Sequence, residues 1–298
     1  MTSSLSRRRV LASALALPIT SSLAAARTAT IPDRRSRLKL SCNLYSFNAP
    51  LTSGEMSLDQ VIDLCAELGF DAVDPTGYYF KGYPTPAADE EVFRIKHRAF
   101  RAGLDISGTG VRNDFALLDR PARDAQVEHV SRWIDVAAKL GAPVLRVFSG
   151  GEAPQGHTEA EAREWVVSCL ASVVERAAAR GVMIVLQNHN DFLKTADQVL
   201  ELRRRVPSEW FGLNVDIGSL RASDPYDEIA KLAPYAYTWQ LKELIYRGTR
   251  EEKTDVARVI RILRDARYRG YVPIETLGPG DPRDKVRRFL DEVRTSLS

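Results

Sequence analysis

An unbroken aliphatic run, Val182-Met183-Ile184-Val185-Leu186, ends abruptly in the polar side chains of Gln187, Asn188 and His189. A continuous apolar segment of this length, with a helix-like stretch before it, is the pattern of a parallel strand buried on both faces. The design recurs downstream. Residues 211–216 read Phe-Gly-Leu-Asn-Val-Asp, 236–243 read Ala-Tyr-Thr-Trp-Gln-Leu-Lys-Glu, and 271–275 read Tyr-Val-Pro-Ile-Glu. Neighbouring parallel strands set their C-terminal ends on one rim, so Gln187, Asp216, Gln240 and Glu275 are expected to converge although they lie far apart in sequence.

The first half of the chain carries four more strand patterns, at 38–45, 71–75, 104–108 and 144–148. Helical periodicity separates the eight, over 57–68, 89–102, 122–140, 158–180, 195–205, 225–232, 253–267 and 284–293. Ser57 reads as an N-cap, and Gly69, Gly141 and Gly181 as C-terminal stops. Eight strand and helix alternations with short connections predict an α/β chain folded as a single (β/α)8 TIM barrel over residues 38–298. No Gly-x-Gly-x-x-Gly turn follows the first strand, which weakens the dinucleotide-binding alternative.

Residues 1–26 have a different character. Arg7-Arg8-Arg9 precede a short apolar stretch and a small-residue run ending in Ala24-Ala25-Ala26, the three-part pattern of a twin-arginine-type signal peptide. Its apolar part is too short to span a bilayer, so stable membrane insertion after cleavage is not expected. Residues 27–37 read as a linker. The chain counts 42 Lys and Arg against 39 Asp and Glu, with 44% hydrophobic residues. Losing Arg7, Arg8 and Arg9 would leave equal numbers of basic and acidic groups, which removes any global electrostatic reason to bind nucleic acid. The expected setting is periplasmic or otherwise exported, where unphosphorylated carbohydrates outnumber sugar phosphates. Cys42, Cys65 and Cys169 are unclustered and sit in apolar contexts, as buried free thiols do.

The strand-end series Leu-Gln-Asn-His at 186–189, Val-Asp-Ile-Gly-Ser at 215–219, Gln-Leu-Lys-Glu at 240–243 and Ile-Glu-Thr at 274–276 resembles the xylose-isomerase-like barrel superfamily of sugar isomerases, epimerases, dehydratases and endonucleases. The resemblance implies that Gln187, Asp216, Gln240 and Glu275 stand where relatives hold one divalent metal. Two positions depart from the family pattern: Gln187 replaces the usual Glu, and Ser219 replaces a frequent His. An all-oxygen set suits Mn2+ or Mg2+ better than zinc, though with fewer charges than the family norm.

A metal at such a rim polarises a carbonyl while a base removes the neighbouring C–H proton, the step shared by isomerisation, epimerisation and elimination. His189 is the first candidate base, two positions beyond Gln187 and able to titrate near neutral pH. Lys242 and Glu243 are the competing catalytic acid and base, one of which could equally be a salt-bridged rim residue. Asp74 and Arg146 lie at strand ends where they could hold sugar hydroxyls, and Trp239, Tyr78, Tyr79, Phe80 and Tyr83 could offer aromatic faces to a sugar ring. The expected function is an isomerase or epimerase acting on a small unphosphorylated carbohydrate. A lyase or hydratase of 3-keto-glycosides is the alternative enzyme, and a sugar-binding barrel with a degenerate metal site is the non-catalytic one. A homo-oligomer is compatible with all three.

Overall fold

The computed structural model describes residues 38–189 and 193–298. The expected signal peptide and linker lie outside the described residues. In chain order the elements are β1 (Lys39–Asn43), α1 (Asn48–Ser53), α2 (Leu58–Glu67), β2 (Ala72–Asp74), α3 (Asp89–Arg101), β3 (Asp105–Ile106), β4 (Thr109–Gly110), α4 (Arg120–Leu140), β5 (Val144–Phe148) and α5 (Glu159–Ala178). They continue as β6 (Met183–Gln187), α6 (Ala196–Arg205), β7 (Phe211–Asp216), α7 (Pro225–Leu232), β8 (Ala236–Lys242), β9 (Leu244–Arg247), β10 (Arg250–Lys253), α8 (Val256–Asp265), β11 (Tyr271–Glu275) and α9 (Pro282–Leu297).

Nine of these strands form one sheet in the order β3-β2-β1-β11-β8-β7-β6-β5-β4, with every neighbouring pair parallel. The two ends of that order, β3 and β4, are consecutive pieces of one interrupted strand, so the sheet curls into a nearly closed barrel of eight staves. The (β/α)8 expectation is met.

The third stave breaks for a steric reason. A Cβ on Gly108 would lie 2.8 Å from Val144 Cγ2, and one on Gly110 would lie 2.6 Å from the guanidinium of Arg146. The stave is stripped of side chains where a neighbouring strand sends a large group across it.

Helix boundaries follow their caps. Ser57 and Gln60 form a reciprocal capping box at α2, as do Thr158 and Glu161 at α5 and Thr195 and Gln198 at α6. Gly141 ends α4 in the left-handed conformation, φ 81°, which a residue with a Cβ adopts only at a cost. Each helix turns its apolar stripe onto the outside of the barrel. The layer between holds the largest fully buried side chains, among them Trp133, Trp239 and Phe211.

One element was not foreseen. Strands β9 and β10 pair antiparallel with Arg247 opposite Arg250, leaving Gly248 (φ 61°) and Thr249 as a two-residue hairpin turn. The hairpin stands beside the rim, immediately after the stave that carries Gln240 and Lys242.

Candidate active site at the barrel rim

The C-terminal ends of β6, β7, β8 and β11 meet as the sequence requires. Register pairs Asp216 with Gln240 and Glu275 with Lys242 across adjacent staves, while Gln187 pairs with Asn214 one step down from Asp216. Gln187, Asp216, Gln240 and Glu275 are all buried. Period-2 alternation sends Gln240 and Lys242 to the same side of β8.

Asp216 is the hub of this cluster. Its Oδ2 accepts from Gln187 Nε2 at 2.8 Å and from Ser219 Oγ at 2.9 Å, and its Oδ1 accepts from the backbone N–H of Gly218 at 3.0 Å. Its backbone is clamped too: Asn188 Oδ1 accepts from the Asp216 N–H, and Asn188 Nδ2 donates to the Asp216 carbonyl, both at 2.8 Å. The Lys242 ammonium completes the hub, lying 3.1 Å from Asp216 Oδ2 and 3.5 Å from Glu275 Oε1. Burial works against the charge of Lys242, yet Asp216 and Glu275 together hold its pKa above the ordinary lysine value. Burial pushes the Glu275 carboxyl up, with Lys242 pulling the other way.

The donors expected to cage a divalent ion do not form that cage as placed. An ammonium stands between the two carboxylates, and an amide N–H of Gln187 points at Asp216, where a metal would need an oxygen. Among the described residues no three His, Cys, Asp or Glu side chains gather as metal ligands would. Gln187 Oε1 and Gln240 Oε1 are buried and find no hydrogen-bond partner among the described residues. These are two neutral acceptors, suited to hydroxyl donors.

The cluster forms the floor of a cavity of about 310 Å³ whose walls include Asn43, Tyr45, Tyr78, Arg146 and Phe148, within the size range of small-molecule sites. Arg146 is fixed by donating to the Val111 carbonyl at 3.0 Å and the Tyr78 hydroxyl at 3.1 Å, with its guanidinium 4.5 Å from the centre of the Phe148 ring. His189 lines this cavity and both of its neighbours, and packs edge-on against Phe148 with ring centroids 5.2 Å apart. A second cavity, about 700 Å³, opens from the first past His189, Arg112 and Phe148 and is lined further by Tyr83 and Asp114.

Other expected site residues are distributed unevenly. Both members of the Lys242-Glu243 pair are ion-paired: Lys242 within the cluster, and Glu243 outside it with Lys285 at 3.2 Å. Trp239 must be corrected: it is fully buried against Tyr268, ring centroids 5.8 Å apart, and has no face left for a sugar. Alternation explains this, because an inward Gln240 forces Trp239 outward under the helices. Phe80 likewise anchors its loop on Trp133. Tyr45, Asn48 and Phe148, which the sequence reading passed over, line the central cavity. Tyr45 and Asn48 follow the first strand end, and their signal was position alone.

Asp74 and Arg146 are both buried but do not pair directly. Asp74 accepts a long bond, 3.5 Å, from Asn43 Nδ2, and its pKa is raised to about 6, chiefly by burial, with the Arg146 charge opposing. The folded chain therefore keeps a proton that an ordinary aspartate releases near 3.8. Stability from this group is full below that value and is lost as pH rises through about 6. Asp74→Asn keeps the shape and removes the charge, so it should exceed the parent in stability by about 2–3 kcal/mol at about pH 8 and by little at about pH 4. Urea unfolding across that range checks it, and a pH-independent difference would refute the assignment.

Comparison with known proteins places this geometry among relatives. The chain is 28% identical over 187 residues to the C-glycoside deglycosidase alpha subunit of Arthrobacter globiformis, a match covering 59% of this chain and 46% of that protein, so the chain spans less than half of its relative's length. The fold matches D-psicose 3-epimerase of Clostridium cellulolyticum H10 with D-tagatose, TM-score 0.73 at 16% identity, over 88% of this chain and all of that one. It also matches the 3-keto-D-glucoside 4-epimerase of E. coli, TM-score 0.71 at 14% identity, over 87% of this chain and all of that one. Such likenesses speak to fold, but the sequence profile of one family matches directly across residues 62–294. The chain belongs to the xylose isomerase-like TIM-barrel family.

Proposed function

We propose that the chain is an enzyme that moves a proton next to a carbonyl of a small unphosphorylated carbohydrate, in the manner of a sugar isomerase or epimerase. The observation that carries this reading is the convergence, on one cavity floor, of the Lys242 ammonium, the Glu275 carboxylate and the Gln187 and Gln240 amides, backed by the buried Asp216, with His189 in the lining of the same cavity. A sugar presents a carbonyl and adjacent hydroxyls together. Its hydroxyls donate to Gln187 Oε1 and Gln240 Oε1, and its carbonyl oxygen accepts from a cationic donor at the floor. His189 takes the proton from the neighbouring carbon. The electron pair of that C–H bond moves toward the carbonyl and charge gathers on its oxygen; return of a proton to the opposite face of the same carbon completes an epimerisation, whereas its delivery to the former carbonyl carbon, with the adjacent hydroxyl proton passing to the former carbonyl oxygen, completes an isomerisation.

The second cavity favours a glycoside as substrate. A free monosaccharide fills a space the size of the central cavity, whereas the adjoining space of about 700 Å³ beyond His189 and Phe148 accommodates an aglycone. The name of one relative, a C-glycoside deglycosidase subunit, agrees with a glycoside, and that of a protein of the same fold, a 3-keto-D-glucoside 4-epimerase, with a keto-glycoside. From a 3-keto-glycoside the same proton abstraction can end in elimination of the aglycone. Export through a twin-arginine-type signal, as the first 26 residues suggest, would suit such substrates.

Proton NMR in D2O, run with free ketoses, aldoses and 3-keto-glucosides and both with and without Mg2+, tests the proposal. Deuterium is expected to enter at the carbon next to the carbonyl of at least one class, and the product then separates isomerase from lyase. Binding of a sugar without any exchange would replace the enzyme by a sugar-binding barrel.

A further inference from the structure

We propose that Lys242 takes the place of the divalent metal in this barrel, so that its ammonium is the electrophile of the site. Three observations on the same few side chains carry the inference. The Lys242 Nζ lies within 3.5 Å of both carboxylates expected to hold a metal, Asp216 and Glu275. Gln187, in the position where relatives carry a third carboxylate, gives Asp216 an N–H rather than sharing an oxygen with it. Asp216 Oδ2, which accepts from Gln187, Ser219 and Lys242, has its lone pairs committed.

Two buried carboxylates on the staves either side of β8 need a compensating cation, and in a buried site that cation is either a bound ion or a protein side chain. Here the side chain is present. Gln in place of Glu at 187 lowers the formal charge of the set from minus three to minus two, of which the Lys242 ammonium offsets one, and a metal there would need six or more oxygens at about 2.0–2.6 Å. A metal between Asp216 and Glu275 would have to expel Lys242, rotate Gln187 and sit beside a second positive charge in a buried space. The site has exchanged a metal for a residue of its own chain.

The chemical role follows from geometry. Lys242 is 14% exposed and borders the central cavity, so the ammonium that pairs with Asp216 and Glu275 also reaches the substrate space. It donates an N–H to the carbonyl oxygen on which negative charge develops. This role rests on the proton-transfer reading above, but occupancy of the metal position by lysine does not.

Mn2+ titration read by electron paramagnetic resonance, together with thermal melts, tests occupancy without any substrate. The parent protein, purified without chelator, is expected to leave the signal of free Mn2+ undiminished up to millimolar concentration and to melt at the same temperature with or without it. Lys242→Met is expected to take up one Mn2+ per chain and to regain melting temperature on binding. Lys242→Gln carries the same test if the methionine variant does not fold. Stoichiometric uptake of Mn2+ by the parent, abolished by Asp216→Asn, would overturn the proposal, and so would a folded Lys242 variant that binds none. Neither result depends on sugar exchange, so this proposal and the proposed reaction fail separately.

Discussion

Replacing Asp216 by alanine is expected to destabilise the barrel by about 3–5 kcal/mol. The loss is large because Asp216 is fully buried and its carboxylate answers four donors: the Gln187 amide, the Ser219 hydroxyl, the Gly218 N–H and the Lys242 ammonium. Truncation leaves each of them in a low-dielectric space without an acceptor, and the abandoned charge dominates the cost. Glu275 relieves part of it, although its contact with Lys242 is the longer of the two, 3.5 Å against 3.1 Å. The charged partner can be identified by a double-mutant cycle. Adding Lys242→Met to Asp216→Ala removes the stranded ammonium and lets Glu275, already pushed up by burial, take a proton. The double variant should therefore be more stable than the sum of the two single losses predicts, by about 1–3 kcal/mol. Urea unfolding with unchanged slope reads both quantities. A loss below about 1 kcal/mol for Asp216→Ala, in the range of exposed pairs, would show that the hub is not the buried ion network described.

Much of this arrangement was legible from the chain because the signals were local and periodic. Aliphatic runs ending in polar residues located the later strands, and Ser57 and Gly141 marked helix ends through their capping and left-handed conformations. Convergence of Gln187, Asp216, Gln240 and Glu275 followed from parallel topology alone. What was not legible depends on partners supplied by other staves. Inward placement of Lys242 follows from its two-residue spacing from Gln240, but its bridge to Asp216 and Glu275 exists only once β7, β8 and β11 lie side by side. The same alternation, applied one residue earlier, would have excluded Trp239. The break in the third stave reflects the Arg146 guanidinium pressing on Gly110, a contact between residues on neighbouring strands that neither sequence segment announces. The β9–β10 hairpin did have a local signal, a Gly-Thr pair between two short runs, which the search for parallel staves overlooked.

His189→Gln should reduce turnover by about two orders of magnitude or more, the usual consequence of losing a general base. The case for His189 is positional. It follows the fifth stave directly, borders the central cavity and both neighbouring ones, and rests against Phe148, which in turn lies under the Arg146 guanidinium. In the proposed reaction a group at that junction would take the proton from the carbon of a sugar seated on the cavity floor. Glutamine preserves polarity and hydrogen bonding but accepts no proton at neutral pH, so it separates proton transfer from ligand positioning. The expected pattern is a fall in kcat with KM nearly unchanged, accompanied by loss of solvent deuterium at the exchanging carbon. A rise in KM with kcat preserved would instead make His189 a substrate-holding residue and transfer the base to another group on the cavity wall. Exchange retained at the parental rate would remove His189 from the chemistry altogether. Because Lys242, Asp216 and Glu275 are untouched by this substitution, the Mn2+ response of the variant should match the parent, and turnover compared per folded protein ties any loss to the imidazole itself.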